Sequence, residues 1–321
     1  MPLSTESAAM LGTGHRTRNN LSGCPRFRGI GGTMRVRRPV VAGQFYPADR
    51  AGCVRMIQEC LPREVPADLP RPIVAGIVPH AGWVYSGPVA AKVFAAIQAQ
   101  GSPETVVLVS ADHRWGSPLA ALYGSGAWLT PLGEILVDEE LAEVVLREGK
   151  GLIEDAPEAH SGEHSAEVQV PFVQHLFPQA RILPILVSPT ERAVRVGETL
   201  AQAVREAGKP VVIVGTTDLT HYGAMFYGFA PAGTGERALA WARANDERIL
   251  RLMLEMRAEE IVPEAETHHN ACGGGAIAAT VAAARALGAR RGVLLEYTNS
   301  HFVMPRGPAT DFVGYAAIVF G

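Results

Sequence analysis

Three apolar runs in this chain end in histidine. They are Pro72-Ile-Val-Ala-Gly-Ile-Val-Pro-His80, Thr105-Val-Val-Leu-Val-Ser-Ala-Asp-His113 and Val211-Val-Ile-Val-Gly-Thr-Thr-Asp-Leu-Thr-His221. Short, continuous runs of this kind read as strands buried on both faces of a parallel sheet. In an open α/β sheet, the carboxyl ends of the strands border the crevice where ligands bind. Imidazoles delivered to one rim can share a metal or act as acid and base. A further donor candidate is Cys272, in His268-His-Asn-Ala-Cys-Gly-Gly-Gly-Ala276. At a helix amino terminus its thiolate would be stabilised by unpaired N–H groups and the helix dipole.

The neighbours of these residues refine the chemistry. Asp112 precedes His113 and can orient an imidazole or bind metal itself. Asp218 lies three residues before His221; on a helical turn the two share a face, and Asp218 would hold His221 in one tautomer as a general acid/base. Glu163-His-Ser-Ala-Glu167 opens a helix, with Glu163 as cap and His164 near the amino end, where the dipole favours neutral imidazole. That pair either borders the site or serves only capping and packing. Trp83 and Trp115 are candidate walls of the pocket. Each residue also has a plain structural reading, such as a histidine satisfied by backbone or a cysteine packed in a helix. Several of them meeting at one rim is what favours a site. Two imidazoles and a thiolate suit zinc or copper, whereas two imidazoles and a carboxylate suit non-haem Fe(II). The sequence supplies both sets. It has no Gly-x-Ser-x-Gly elbow, no P-loop and no Gly-x-Gly-x-x-Gly after a strand.

The elements that must position these residues follow from periodicity and caps. Asp49 caps a helix over Arg50–Leu61, and a Pro-rich connector, Pro62–Pro72, leads to the first buried strand. A helix runs from near Pro88 to about Gln98, followed by strand Thr105–Ala111. The Gly-rich stretch Trp115–Thr130 reads as a hairpin or irregular excursion. Helices are expected at Asp138–Glu148, Ser165–Leu176, Glu191–Ala207, Gly235–Met256 and Cys272–Leu287, with Gly208 as a C-cap and a short acidic segment after Met256. Strands are expected at Arg181–Val187, Pro210–Thr217, Val293–Thr298 and Phe312–Phe320; no helix separates the last two, so that edge is expected to be antiparallel. The pattern predicts a single α/β domain with a mostly parallel or mixed sheet and helices on both faces.

Composition narrows the setting. The chain has 321 residues, 47% hydrophobic and 19% charged, ample for a sizeable core. A net charge of −3 gives no reason to expect nucleic acid, and no apolar run reaches the ~18 residues of a membrane span. Four scattered cysteines form no disulfide framework and indicate a reducing, cytoplasmic setting. Residues 1–38 hold seven arginines against one acid, Glu6. Residues 1–37 are therefore expected to be a disordered basic extension ahead of a domain over 38–321. The extension reads either as an organelle transit peptide or as a consequence of translation starting at Met34.

Taken together, five ordered segments resemble the Memo family, called protein B of the AmmeMemoRadiSam system. They are Arg38-Pro-Val-Val-Ala-Gly-Gln-Phe-Tyr-Pro47, Val78-Pro-His-Ala-Gly82, Glu163-His-Ser-Ala-Glu-Val-Gln-Val-Pro-Phe172, Thr217-Asp-Leu-Thr-His-Tyr-Gly223 and Ala271-Cys-Gly-Gly-Gly275. Gly314-Tyr-Ala-Ala317 resembles the family's closing strand. The resemblance implies a fold similar to the catalytic subunit of class III extradiol dioxygenases. It implies metal ligands His80, His113 and Cys272, flanked by Asp218 and His221, with copper or iron bound and redox activity. It also implies radical-SAM and AMMECR-type partners, and a small-molecule or peptide substrate. Two other functions follow from it: an iron-dependent extradiol-type dioxygenase, and a non-catalytic peptide-binding module. One departure is that the second histidine motif reads Ser110-Ala-Asp-His-Arg114, in which Asp112 could compete as a ligand and Arg114 would favour an anionic substrate.

Overall fold

Continuous apolar strands, whose side chains alternate between the two faces of a sheet, must be covered on both faces. That is what the computed structural model shows. It describes residues 34–114, 118–226 and 228–321, and Met34–Gly321 form one compact unit. In chain order the strands are β1 (Val36–Arg37), β2 (Ala75–Val78), β3 (Thr105–Ala111), β4 (Ala120–Leu122), β5 (Ala127–Thr130), β6 (Gly133–Leu136), β7 (Glu154–Asp155), β8 (Arg181–Val187), β9 (Val211–Thr216), β10 (His221–Tyr222), β11 (Gly292–Asn299) and β12 (Phe312–Phe320). The helices are α1 (Arg50–Cys60), α2 (Trp83–Gln98), α3 (Glu139–Glu148), α4 (Val170–Leu176), α5 (Ala193–Ala207), α6 (Glu236–Leu254), α7 (Ala258–His268), α8 (Gly274–Ala286) and α9 (Ser300–Val303).

The main sheet runs β10-β12-β2-β9-β3-β8-β4-β7, with β11 also on β12. Its centre, β2-β9-β3-β8, is parallel, with Ala75 opposite Ile213 and Thr105 opposite both Val211 and Arg181. Every residue of β2, β3 and β12 is buried. The closing edge is antiparallel, as expected: β12 pairs antiparallel with β2, β10 and β11. A separate three-stranded sheet joins β1, β5 and β6, so the Trp115–Thr130 excursion supplies two short strands, β4 and β5, and only β5 belongs to a hairpin. No helix of the described residues is long and apolar enough to cross a membrane.

Helix α8 explains how the sheet is covered so closely. Its sequence is made almost wholly of small residues. A Cβ on Gly197 of α5 would lie 2.0 Å from the Ala279 carbonyl oxygen, and one on Gly215 of β9 would lie 2.2 Å from Thr280 Oγ1. Gly273 and Gly275 lie equally close to the backbone of Thr216 and Ser188. The glycine run after Cys272 is therefore a packing requirement that seats the start of α8 against the ends of β9 and β8.

Several boundaries differ from expectation. Helix α2 starts at Trp83, not near Pro88, and carries Pro88 inside it. Pro88 leaves the Val84 carbonyl without its helical N–H, but Val84 is exposed and water can replace the donor. The acidic segment after Met256 is α7, with Pro263 within it. The helix expected at Ser165 is a 3₁₀ turn over Glu167–Gln169 followed by α4. The helix expected at Cys272 begins at Gly274, behind the N-cap Gly273. The folded unit also starts ahead of residue 38. Arg37 sits in β1 with 8% exposure, its guanidinium 4.1 Å above the Trp128 ring. The remainder of the expected basic extension, residues 1–33, lies outside the described residues, as does Trp115.

Candidate metal centre

The parallel strands deliver their histidines to one rim. His80 follows β2, His113 follows β3, and His164 comes from the loop before α4; one ring nitrogen of each lies within 4.8 Å of the others. The rings of His113 and His164 stack at 5.0 Å and 15°, and His80 stands perpendicular to both. Cys272 joins them, with its Sγ 3.1 Å from His80 Nε2. Cys272 owes this position to its backbone N–H, which donates to the Asp218 carbonyl, and not to a first helical turn. The amide facing its sulfur is that of Asp218, at 3.3 Å.

Two donors are held from behind. His113 Nδ1 donates to the Glu163 carboxylate at 3.1 Å, and the His113 backbone N–H donates to the same group at 3.0 Å. The Glu163 carboxylate also accepts the amides of His164 and Ser165. His80 Nδ1 bonds Thr216 Oγ1 at 3.0 Å, and its amide donates to Asp218 Oδ1. With each Nδ1 engaged, Nε2 of both rings faces the Cys272 sulfur, and a metal bound there would take the place of the proton now shared with the thiol. A carboxylate behind an imidazole is a recurrent way to fix a metal-binding tautomer. The carboxylate here is Glu163, fifty residues away in sequence, and not the adjacent Asp112. Asp112 turns back into its own loop, accepting the Arg114 amide at 3.1 Å.

Charge follows this geometry. Burial, and then the positive charge of His113 and His164, hold His80 well below the usual histidine range. Burial alone would lower His113 too, but its hydrogen bonds to Cys272 and Glu163 outweigh that and push it up to about 11. Burial would raise Glu163, yet its hydrogen bonds and the His113 charge hold it well below the ordinary carboxylate range. Burial raises Asp218 to about 7 against the opposing amides of His80 and Ala81.

Asp218 does not hold His221. Its carboxylate is turned to the backbone of residues 80 and 81, while His221 Nδ1 donates to the Leu219 carbonyl at 3.0 Å. The reason is local: residues 221 and 222 form β10 instead of a helical turn, so positions 218 and 221 share no face. Burial lowers the His221 pKa, and the free Nε2 of a neutral ring is a proton acceptor. His221, Asp218 and His164 line a cleft of about 400 Å³ with Phe45, Tyr85 and Tyr315. Trp83 is not part of that wall. It is 2% exposed, donates Nε1–H to the Val168 carbonyl and packs against Tyr46 and Phe172.

The residues missed from sequence lie behind the centre. Arg37 donates to the carbonyls of His160 and Glu163 and to the Glu167 carboxylate. Glu167 in turn accepts the amides of Val40 and Val41 and the Tyr46 hydroxyl. This buried group anchors the loop that aims Glu163, and it carries Phe45 against His164. The motif around Glu163 carried a signal for this; a single arginine in a basic run did not.

A mixed α/β sheet with an imidazole cluster at the ends of its parallel strands defines the class of the molecule. A family profile described as Memo-like protein matches residues 37–319, and the chain belongs to that family. A MEMO1 family protein of Methanothermobacter thermautotrophicus is 38% identical over 290 residues, covering 88% of this chain and 99% of its own. One from Pyrococcus abyssi is 39% identical over 297 residues, covering 88% and 99%. Among solved structures, an uncharacterized protein of Escherichia coli K12 superposes with a TM-score of 0.47 at 12% identity, over 78% of this chain and all of its own.

Proposed function

We propose that this chain is a metal-binding, redox-active protein whose centre is built on His80, His113 and Cys272. The observation that carries this is the approach of the Cys272 sulfur to His80 Nε2, beside a His113 whose Nδ1 is already committed to Glu163. Two imidazoles and a thiolate fit copper, and also zinc, better than they fit Fe(II). The iron site of an extradiol-type dioxygenase needs a free carboxylate. Glu163 and Asp218, the carboxylates at this rim, are instead taken up by N–H donors. A copper ion bound here would supply one-electron chemistry.

The protein's own part is positioning and proton handling. Glu163 and Thr216 fix the two ring orientations, and the buried surroundings keep His80 neutral and able to donate its lone pair. His221, held at Nδ1 by Leu219, lines the cleft and serves as its proton acceptor. The cleft suits a small molecule or a peptide side chain. The radical-SAM and AMMECR-type partners are retained in this reading as candidates for co-purification.

Metal analysis of anaerobically purified protein tests the centre. Wild type should hold a stoichiometric transition metal, and His80→Ala and Cys272→Ala should each lose it. Full retention of metal, at unchanged affinity, in both variants would remove these ligands from the account.

A further inference from the structure

We infer that His164 is an exchangeable donor of the centre: it stands on the cleft side of three fixed donors and yields its place to a ligand entering the cleft. This rests on the metal-centre reading above and extends it.

The difference between His164 and the other donors is what holds them. His80 is tied at Nδ1 and at its amide, and is 1% exposed. His113 is tied at Nδ1 and at its amide to one carboxylate. Cys272 is tied through its backbone N–H to Asp218. The His164 ring makes no hydrogen bond among the described residues. Its nearest carboxylate oxygen, Glu163 Oε1, is 3.6 Å from Nδ1, beyond hydrogen-bonding distance. Only its backbone is fixed, through the amide that donates to the Glu163 carboxylate. The ring is held by packing alone, edge-on to Phe45 at 5.1 Å and stacked on His113 at 5.0 Å. It can therefore turn about its side-chain bonds without breaking a polar contact.

Position gives the second half of the argument. A nitrogen of His164 lies within reach of the same point as those of His80 and His113. His164 also lines the cleft, whereas His80, His113 and Cys272 do not. A molecule entering along the cleft meets His164 in its wall, whereas His80 is closed off behind at 1% exposure. Displacing an internal donor reduces the apparent affinity of any entering ligand by the population of the open state. His164 thus occupies a donor position on the cleft side and sets the threshold for a ligand that binds from there.

The test uses cobalt(II) as probe metal and azide as probe ligand. Cobalt-loaded wild type should show a thiolate-to-cobalt absorption band that Cys272→Ser abolishes. Its absence from wild type would overturn the thiolate reading itself and, with it, the fixed set. His164→Ala and His164→Gln should change the visible cobalt spectrum and weaken cobalt binding by about tenfold or less, since three donors remain. Both should bind azide about tenfold more tightly than wild type, because nothing has to be displaced. An unchanged spectrum with azide affinity within about twofold of wild type would overturn the inference, as would complete loss of cobalt, which would make His164 a fixed ligand. A measurement on wild type alone guards against a folding defect in the variants. Azide titration should strongly reduce the through-bond paramagnetic shift of the His164 ring resonances while those of His80 and His113 stay fully shifted; if all three or none change, the proposal fails.

Discussion

The two sides of the cleft are built on opposite principles. The parallel rim, at the ends of β2, β3 and β9, presents a buried His80 and a half-buried His113 and Cys272, tied from behind by Thr216, Glu163 and the backbone of Asp218. The antiparallel edge, β10 to β12 with α9, presents an open wall. Met225 is 82% exposed on it and Phe302 60%. Of these two, Met225 lines the cleft. The contrast teaches that the two sides are held differently: the rim fixes its side chains through hydrogen bonds, and the edge leaves large side chains exposed.

The buried acids of the two regions offer the sharpest way to break that contrast. Asp246 lies under the antiparallel edge and accepts the Thr220 amide and the Tyr297 hydroxyl. Burial outweighs these bonds and raises it from 3.8 to about 6. A carboxyl that binds its proton more tightly when folded contributes stability fully present below pH 3.8 and lost as pH rises through 6. Asp246→Asn removes that dependence. Its stability relative to wild type should improve by about 3 kcal/mol between pH 3.5 and 7, read from denaturant melts at each pH. No change with pH would show that the edge carries no such buried charge.

On the rim, Glu163→Gln keeps the shape and removes the charge behind His113. Metal affinity should fall by about 10–100-fold, measured by competition with a chelator, while the fold persists. Equal affinity would mean that the rim owes nothing to the groups behind it. The smallest effect belongs to the edge. Met225→Ser should leave stability within about 0.5 kcal/mol of wild type in a thermal melt. A larger loss would show that the wall is packed and not free.

Much of this arrangement was legible in the chain. Strands β3, β8 and β12 begin and end where their apolar runs do. Asp49 and Asp138 cap the helices they precede, and Gly208 takes the left-handed C-cap at φ 62°. These features depend on residues within a turn of one another. His80, His113 and Cys272 were legible as candidates because strand ends and a glycine run mark where a rim must be. What could not be read were partners chosen across the fold. Asp112 and Asp218 looked like the groups that orient His113 and His221 because they are close in sequence. Glu163 and the Leu219 carbonyl take those roles because a loop and a short strand bring them there. Trp83 looked like a pocket wall, yet an unexpected early start to α2 turns it into the core.

The sequence by itself determined the buried strands, their antiparallel closing edge and the candidacy of His80, His113 and Cys272, because apolar periodicity, caps and a glycine run are local signals; that His164 and not His221 clusters with His80 and His113 came from the fold. Only the tertiary structure decided which donors are held and which is free. It placed Arg37 and Glu167 behind the Glu163 loop and left the His164 ring without a hydrogen bond among the described residues. The physical reason is that a hydrogen bond fixes a side chain only when donor and acceptor meet within about 3 Å, and residues more than a hundred positions apart meet only once the chain has folded.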